Sequence, residues 1–372
     1  MLFVIGFVVS LYESVSLLLP LRVSWLWRVF GAVLILVVSC RNSIFSRLGG
    51  GMFFAPELPL WMLLLGAWLY SAFFLAFLFS VAKDILWLCW RIFAHGRAFP
   101  AGAASAVVIA ASLLLSLYGT WAAIKVPDVR YESAVIKDLP CGLEGFKIAL
   151  LADLHISAMN TEPLISKIVD KTNEVGADVI LLNGDMVDGT VANRVEGVQP
   201  LTRLKARYGL YGTTGNHEYY SGYGEWAEKF RELGITMLDN SHAVVDVNGT
   251  RLVVAGVVDK NGLMYGYEGP NISKALRGAP DAPVVLMAHR PEDAAENAAA
   301  GADIQLSGHT HGGMALGFDR FIARFNRGYV RGWYDVGSMK LYVSPGTLLW
   351  NGFALRLGVP SEITVLTLTR GE

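Results

Sequence analysis

Hydrophobic residues are concentrated in the first third of the chain, whereas short apolar runs alternate with polar and charged stretches after about residue 126. Two early runs, residues 58–82 and 101–124, contain no charged residue. Each is longer than the roughly 20 residues that a helix needs to cross a bilayer. The first part of the chain is therefore predicted to be an all-α transmembrane region.

Two further apolar segments precede these runs. Residues 2–20 carry Glu13, and residues 25–40 carry Arg28 and are short for a span. Charged side chains are costly inside a bilayer, so both segments are weaker candidates that would span, tilt or lie in the interface. We take four transmembrane helices within residues 1–125 as the working count.

The rest of the chain, residues 145–372, has the pattern of an α/β domain. Its short apolar runs have the length and composition of strands. These runs are residues 146–152, 178–183, 208–214, 283–288, 303–307, 340–344 and 362–369. Residues 161–175 show the apolar spacing of a helix. We expect two packed mixed β-sheets flanked by helices, joined to the membrane region by a charged linker at residues 126–144.

Polar motifs directly follow five of the predicted strands. The residues concerned are Asp153, His155, Asp185, Asp188, Asn216, His217, His289, His309 and His311. Ligands of α/β proteins collect outside the carboxyl ends of strands, where loops converge on a rigid edge. Imidazole, carboxylate and amide ligands without cysteine suit divalent ions such as Mn, Fe or Zn rather than a closed thiolate site. The pattern thus predicts a metal site.

Each motif has a simpler explanation when it stands alone. Asp-x-His and Gly-Asp pairs are usually turn or cap residues, and most single histidines are core residues bonded to backbone. His289 alone would be assigned to the core. Its position after a buried strand, between Asn216-His217 and His309, favours a ligand role instead.

Composition and charge exclude some classes of partner and structure. The chain is 53% hydrophobic and has a net charge of -1, with no stripe of Lys and Arg interleaved with aromatic residues. We therefore predict no nucleic-acid partner. One of the three cysteines, Cys141, lies in the C-terminal part, so no disulfide framework is expected there.

The ordered motifs D-x-H, G-D-x-x-D, G-N-H-[DE], a single H and G-H-x-H resemble those of the calcineurin-like metallophosphoesterases, especially their bacterial membrane-associated branch. The resemblance covers about residues 126–372. It implies a site for two divalent ions. The implied ligands of one ion are Asp153, His155 and His311, those of the other are Asn216, His289 and His309, and the bridging ligand is Asp185.

The same resemblance implies catalytic roles for two further residues. His217 would protonate the leaving group, and Asp188 would orient His217 through a hydrogen bond. Arg290 and Arg356 are additional candidates for contacts with phosphate. The attacking group would be a hydroxide that bridges the two ions.

The implied function is that of a membrane-anchored hydrolase of phosphodiester or pyrophosphate bonds. A membrane anchor raises the local concentration of the enzyme near lipid-linked or envelope phosphates, so we expect a phosphorylated small-molecule or lipid-linked substrate. We expect a multi-pass protein of the bacterial inner membrane. Lys and Arg in the short loops favour an extracytoplasmic catalytic domain, although one span more or fewer would reverse this.

Two alternatives stay open on the sequence alone. One is a lipid A enzyme of the UDP-2,3-diacylglucosamine pyrophosphatase type, which requires a cytoplasmic active site. The other is a non-catalytic metal-binding scaffold or sensor, whose usual signature is the loss of metal ligands. The sequence leaves the oligomeric state open.

Overall fold

The chain divides into two compact units, of which one is helical and the other is built on β-sheets. The computed structural model describes residues 2–50, 52, 54–94 and 97–371. The first unit contains Met1–Ala122 together with Asn351–Leu357, and the second contains Ala123–Trp350 together with Gly358–Glu372. A short segment from late in the sequence thus belongs to the helical unit.

The first unit consists of apolar helices. They are α1 (Leu2–Glu13), which continues as a π-helical turn at Ser14–Leu18, α2 (Trp25–Ser39), α3 (Arg41–Gly49), α4 (Leu60–Phe93) and α5 (Ala101–Ile124). Within this unit the Arg41 guanidinium donates to the carbonyl oxygens of Asn351 at 2.9 Å and Gly352 at 3.2 Å. These bonds attach the late segment to the helices.

Two of the described helices, α4 and α5, are long and apolar enough to cross a membrane. They confirm the predicted runs at residues 58–82 and 101–124. Together α2 and α3 would make a third span, bent by 62°. Among the described residues Val4–Leu18 is a further apolar helix, shorter than the other candidates, and the count of four transmembrane helices stays a prediction.

The second unit contains two six-stranded mixed sheets. The first sheet has the order β1 (Asp128–Lys137), β12 (Glu362–Gly371), β2 (Lys147–Leu151), β3 (Val179–Asn183), β4 (Leu210–Thr213) and β5 (Thr236–Met237). The second has the order β10 (Gly332–Val336), β11 (Met339–Val343), β9 (Ile304–Ser307), β8 (Val284–Ala288), β7 (Thr250–Val257) and β6 (Ser241–Val247). The segment predicted as a linker includes β1, which pairs in parallel with β12.

The two sheets pack face to face, and helices cover their outer faces. Alternate residues of β2 illustrate this, because Ile148 and Leu150 join the core between the sheets while Ala149 and Leu151 join the core beneath the helices. The helices of this unit are α6 (Glu162–Glu174), α7 (Val191–Val198), α8 (Asn216–Tyr220), α9 (Tyr223–Glu232), α10 (Ile272–Ala275), α11 (Ala294–Ala299) and α12 (Asp319–Phe325). The predicted α/β sandwich is confirmed.

The strands that carry the motifs run parallel within each sheet. The pairs β2–β3, β3–β4 and β8–β9 are all parallel. Their carboxyl ends therefore meet at one edge of each sheet, which is where the polar motifs follow. The amide of Gly308 donates to the carbonyl of His289 at 2.9 Å, and the amide of Asp153 donates to that of Gly184 at 3.1 Å.

Candidate metal centre

Nine side chains predicted from the sequence converge at the carboxyl ends of the strands. Three of them, Asp153, His155 and His311, form one cluster of potential metal ligands. The Nε2 atoms of His155 and His311 lie 3.3 Å apart, and Nε2 of His311 lies 3.8 Å from Oδ1 of Asp153. All three residues are buried. The cluster joins the end of β2 to the loop after β9.

A second cluster contains Asp185, His289 and His309. Nε2 of His289 lies 3.2 Å from Oδ2 of Asp185. The other ring nitrogen of His289, Nδ1, lies 3.0 Å from the carbonyl oxygen of Asn183. Donation to that carbonyl fixes the ring orientation and directs Nε2 towards Asp185, as commonly occurs behind a metal-binding histidine.

Asp185, a member of the second cluster, also faces the first. Its Oδ2 atom also lies 3.9 Å from Nε2 of His155 and 3.9 Å from Nε2 of His217. The backbone amide of His217 donates to Oδ1 of Asp185 at 2.8 Å. One buried carboxylate therefore faces imidazoles from three separate motifs.

Asp188 contacts two of these imidazoles from behind. Its Oδ1 lies 2.5 Å from Nδ1 of His217, and its Oδ2 lies 3.2 Å from Nδ1 of His155. The Arg194 side chain donates to the backbone carbonyl of Asp188 at 2.7 Å and helps to hold this turn. Asp188 is fully buried, so its orientation is set by these contacts rather than by solvent.

Arg290 connects the second cluster to Asn216. Its guanidinium lies 2.7 Å from Nε2 of His309, donates to Oδ1 of Asn216 at 3.2 Å and pairs with Asp259 at 2.6 Å. The cation thus lies beside two predicted ligands. Sequence reasoning assigned no role to Asp259, which belongs to none of the motifs. Arg356, the other candidate for phosphate contacts, belongs to the helical unit.

The backbone is unusual at most of the predicted ligands. Five of the seven have a positive φ, a conformation that residues other than glycine rarely adopt. They are Asp153 (φ 56°), His155 (43°), Asp185 (49°), His309 (68°) and His311 (49°). Such backbone strain typically costs about 1–3 kcal/mol for each residue and clusters at functional sites. The rest of the fold stabilises these loops in the conformation that brings the ligand side chains together.

Glycines permit this convergence at three of the motifs. A Cβ atom on Gly184, which has a φ of 73°, would lie 2.5 Å from Nδ1 of His289. Added Cβ atoms on Gly215 and Gly308 would overlap the carboxylates of Asp185 and Asp153, respectively. Only glycine allows the backbone to pass so close to the ligands.

Glu218 supports the centre, although sequence reasoning gave it no role. Its carboxylate accepts hydrogen bonds from the amides of Asp185 (2.9 Å), Met186 (2.6 Å) and Gly215 (2.7 Å). It thereby ties the loop after β3 to the loop after β4. Burial and the charge of Asp185 raise the pKa of Glu218 to about 7, and the amide donors oppose that rise. The residue was visible in the Gly-Asn-His-Glu motif, but the sequence cannot show that it binds the neighbouring loop.

An aromatic rim borders His217. The ring of Tyr220 lies 5.3 Å from that of His217, and the ring of Trp350 lies 6.3 Å from it. Tyr265 contacts Tyr220 at 6.2 Å between centroids. Tyr219, Tyr223 and Trp226, the other aromatic residues near this motif, are buried in the core. Trp350 and Tyr265 lie in no recognisable motif, so the sequence gave no signal for them.

The site has a strongly negative electrostatic character. Burial alone disfavours a charged imidazole, yet Asp185 and Asp188 raise the pKa of His217 to about 9. Asp185 likewise overcomes burial and raises the pKa of His289 to about 10. Burial also opposes ionisation of Asp185, but the nearby imidazoles hold its pKa well below the usual range. Such a group of carboxylates attracts cations.

The donor set fits divalent metal ions. Two nitrogens bound to one tetrahedral ion at about 2.1 Å each lie about 3.4 Å apart. The separation between Nε2 of His155 and Nε2 of His311, 3.3 Å, agrees with that geometry. Nδ1 of His309 is buried and has no hydrogen-bond partner among the described residues. A metal ion would satisfy a nitrogen of this kind.

Comparison with known proteins agrees with this chemistry. A family model described as calcineurin-like phosphoesterase matches residues 146–313. A zebrafish (Danio rerio) protein named transmembrane protein with metallophosphoesterase domain is 32% identical over 335 residues, covering 85% of this chain and 76% of that protein. A cattle (Bos taurus) protein of the same name is 32% identical over 324 residues, covering 82% and 72%.

A bacterial relative shows that the similarity extends across kingdoms. A Campylobacter jejuni protein named as an uncharacterized metallophosphoesterase is 31% identical over 249 residues, covering 66% of this chain and 64% of its own. The animal relatives match over most of their own lengths. The region matched by the family model includes all seven proposed metal ligands. The chain therefore belongs to the calcineurin-like metallophosphoesterase family, whose members are metal-dependent hydrolases of phosphoric esters.

Proposed function

We propose that this chain is a membrane-anchored hydrolase that uses two divalent ions to cleave a phosphodiester or pyrophosphate bond. The observation that carries the proposal is the position of Asp185. Its Oδ2 faces Nε2 of His289 at 3.2 Å and Nε2 of His155 at 3.9 Å. One carboxylate oxygen thus faces an imidazole of each cluster, as a bridging ligand must.

The remaining ligands follow from the clusters. Asp153, His155 and His311 would hold one ion, Asn216, His289 and His309 would hold the other, and Asp185 would serve both. Divalent ions bound there would supply charge neutralisation for the phosphoryl oxygens and a lowered pKa for a bound water. The protein's own contribution is to hold the seven ligands in place, five of them at positions with positive φ, so that little reorganisation accompanies substrate binding.

His217 supplies the proton for the leaving group. Its Nδ1 is engaged by Asp188 at 2.5 Å, so Nε2 is the nitrogen directed towards the Asp185 side of the site. The neighbouring carboxylates favour the protonated imidazole, which suits a general acid that works near neutral pH. Asp188 holds the ring orientation and stabilises the charge of the imidazolium.

Arg290 is suited to bind a substrate phosphate. Its guanidinium lies between Asn216 and His309, and Asp259 fixes the Nε edge at 2.6 Å. A guanidinium held in this way presents a planar pair of donors to a phosphate beside the metal ligands.

Exposed apolar side chains beside the site support a lipid-linked or envelope substrate. The rim near His217 continues into exposed apolar residues, since Leu263 and Met264 of the 3-10 turn Lys260–Tyr265 are 65% and 79% exposed. In this proposal the protein is a multi-pass protein of the bacterial inner membrane with an extracytoplasmic catalytic unit.

The test uses the full chain, purified in detergent and loaded with Mn²⁺. Hydrolysis of bis(p-nitrophenyl) phosphate, p-nitrophenyl phosphate and UDP-2,3-diacylglucosamine is measured side by side. We expect turnover of the diester and loss of that turnover after chelation. Absence of turnover of all three substrates by the metal-loaded protein would refute the proposal and favour the scaffold alternative. Preferential cleavage of UDP-2,3-diacylglucosamine would favour the lipid A alternative.

The side of the membrane is tested separately. A phosphatase reporter that is active only outside the cytoplasm is fused to the C-terminus, and a second fusion carries a reporter that is active only inside it. Activity of the external reporter alone supports the proposed orientation. Activity of the internal reporter alone contradicts it.

A further inference from the structure

A basic and aromatic surface lies on α12 and the turn that precedes it. Leu316, Phe321 and Phe325 are 65%, 50% and 67% exposed, and no residue of α12 is buried. The rings of Phe321 and Phe325 lie 5.1 Å apart between centroids, so the two exposed side chains form one patch. We call the following residues the α12 surface: Leu316, Arg320, Phe321, Arg324, Phe325 and Arg327.

The α12 surface carries an excess of positive charge. Arg320, Arg324 and Arg327 are exposed, and none of them forms a salt bridge within the described parts of the chain, although the charge of Arg327 acts to lower the pKa of Asp293. The acidic residue of this helix, Asp319, instead pairs with Arg331 at 3.4 Å. Three guanidinium groups therefore project beside the exposed phenylalanines.

This combination differs from an ordinary solvated surface. Single exposed apolar residues are common, but a solvated helix usually mixes charges of both signs and exposes few large aromatic side chains. Aromatic residues beside arginines are characteristic of helices that lie in the interface of a bilayer. The guanidinium groups bind lipid phosphates, and the aromatic rings enter the headgroup region.

We infer that the α12 surface docks onto an anionic phospholipid bilayer. In the docked state Leu316, Phe321 and Phe325 enter the interface, while the three arginines bind acidic headgroups. The candidate spans α4 and α5 belong to the same chain, so α12 meets the bilayer at a high effective concentration and a weak interaction is sufficient.

Docking would bring one edge of the metal centre to the lipid surface. A Cβ atom on Gly313 would overlap the backbone of Asp319, so α12 begins in contact with the turn that contains His311. A phosphate carried by a membrane lipid would then meet the site without leaving the interface. The inference about docking rests on the surface alone and holds whether or not the proposed reaction is correct.

The test places a nitroxide label at residue 325 in the full chain, using Phe325→Cys after Cys40, Cys89 and Cys141 are replaced by Ser. The protein is reconstituted in nanodiscs of phosphatidylcholine alone or of phosphatidylcholine with phosphatidylglycerol. The frequency with which the label collides with a water-soluble nickel complex and with oxygen, which partitions into the bilayer, is measured by electron paramagnetic resonance. We expect several-fold less collision with nickel, and more with oxygen, in the discs that contain phosphatidylglycerol.

Two controls make the result specific. A label on the exposed Val244 of β6 should give the same nickel collision in both lipids. Reversing Arg320 and Arg324 to Glu should restore nickel access at residue 325, whereas the same reversal at Arg251 and Arg277 should not. Both double variants should keep the circular-dichroism spectrum and the gel-filtration profile of the parent protein, which shows that they are folded.

Equal nickel access at residue 325 in both lipids overturns the inference. The inference is also overturned if the label is already protected from nickel in phosphatidylcholine and stays protected after reversal of Arg320 and Arg324. The surface would then be covered by something other than acidic lipid. Failure of the diesterase assay alone refutes the proposed reaction and leaves the docking result standing.

Discussion

Asp188 lies between His217 and His155 and contacts the Nδ1 atom of each ring. The distances are 2.5 Å from Oδ1 to His217 and 3.2 Å from Oδ2 to His155. One buried carboxylate therefore orients both the proposed proton donor and a proposed metal ligand. Loss of the Asp188 charge should therefore alter both the protonation of His217 and the binding of metal through His155. A pH profile of the activity distinguishes the first effect from the second.

The first prediction concerns Asp188→Asn. The Asp188 carboxylate helps to raise the pKa of His217, so its neutralisation lowers that pKa. A general acid is lost as pH rises through its pKa, and the alkaline limb of the kcat profile should therefore move to lower pH. At neutral pH kcat should fall about 10- to 100-fold, the usual effect of changing a residue behind a metal ligand.

The control for this variant is Asp170→Asn, which removes a surface carboxylate that pairs with Arg203. It should leave the pH profile unchanged. An alkaline limb at the same pH in Asp188→Asn and in the wild-type protein would contradict the assigned role of Asp188. Metal content is measured by mass spectrometry on the same preparations. It shows how much of any loss in rate comes from weaker metal binding through His155.

The second prediction separates the proton donor from the bridging ligand. His217→Ala should retain both metal ions and lose about 10²- to 10⁴-fold in kcat, the usual contribution of general acid catalysis. Asp185→Asn should lose metal and activity together, because its carboxylate faces both clusters. Metal analysis beside steady-state kinetics distinguishes the two results. Loss of metal from His217→Ala would mean that His217 is itself a ligand.

The third prediction tests the close approach at Gly308. Gly308→Ala would place a methyl group against the Asp153 carboxylate. Either the carboxylate or the loop must move, so we expect weaker metal binding and a loss of about 1–3 kcal/mol in unfolding free energy. Gly224→Ala is the matched control, since the new methyl would meet the Tyr267 hydroxyl at 3.2 Å. Equal metal affinity in the two variants, measured by titration calorimetry, would show that Asp153 does not need this space.

Much of the sandwich was predictable because its strands are short apolar runs that end in chemically distinctive motifs. The run at residues 178–183 predicted β3 within one residue, and residues 161–175 predicted α6 in the same way. The hairpin of β6 and β7 was missed, although Asn248-Gly249 is a standard hairpin signal. Both residues have positive φ values, 53° and 88°, as a tight two-residue turn requires.

The metal ligands were recognisable because each side chain has its own motif, whereas the residues that position them were not. Glu218 binds amides of a loop more than 25 residues away in sequence, and Asp259 acts through Arg290. Trp350 approaches His217 from a segment without a motif. Such relationships depend on which loops the two sheets bring together, and no local pattern of apolar and polar residues encodes that.

The last prediction concerns Glu218→Gln, which keeps the shape of the side chain but replaces one acceptor oxygen by an amide donor. Glu218 accepts from the amides of Asp185 and Gly215 through one oxygen and from Met186 through the other, so one of these amides must face a donor. We expect a loss of about 1–3 kcal/mol in unfolding free energy and weaker metal binding. Denaturant titration and calorimetry measure both, with the exposed Glu228→Gln as the control. Equal stability and metal affinity in the two variants would show that the carboxylate does not hold the loops together.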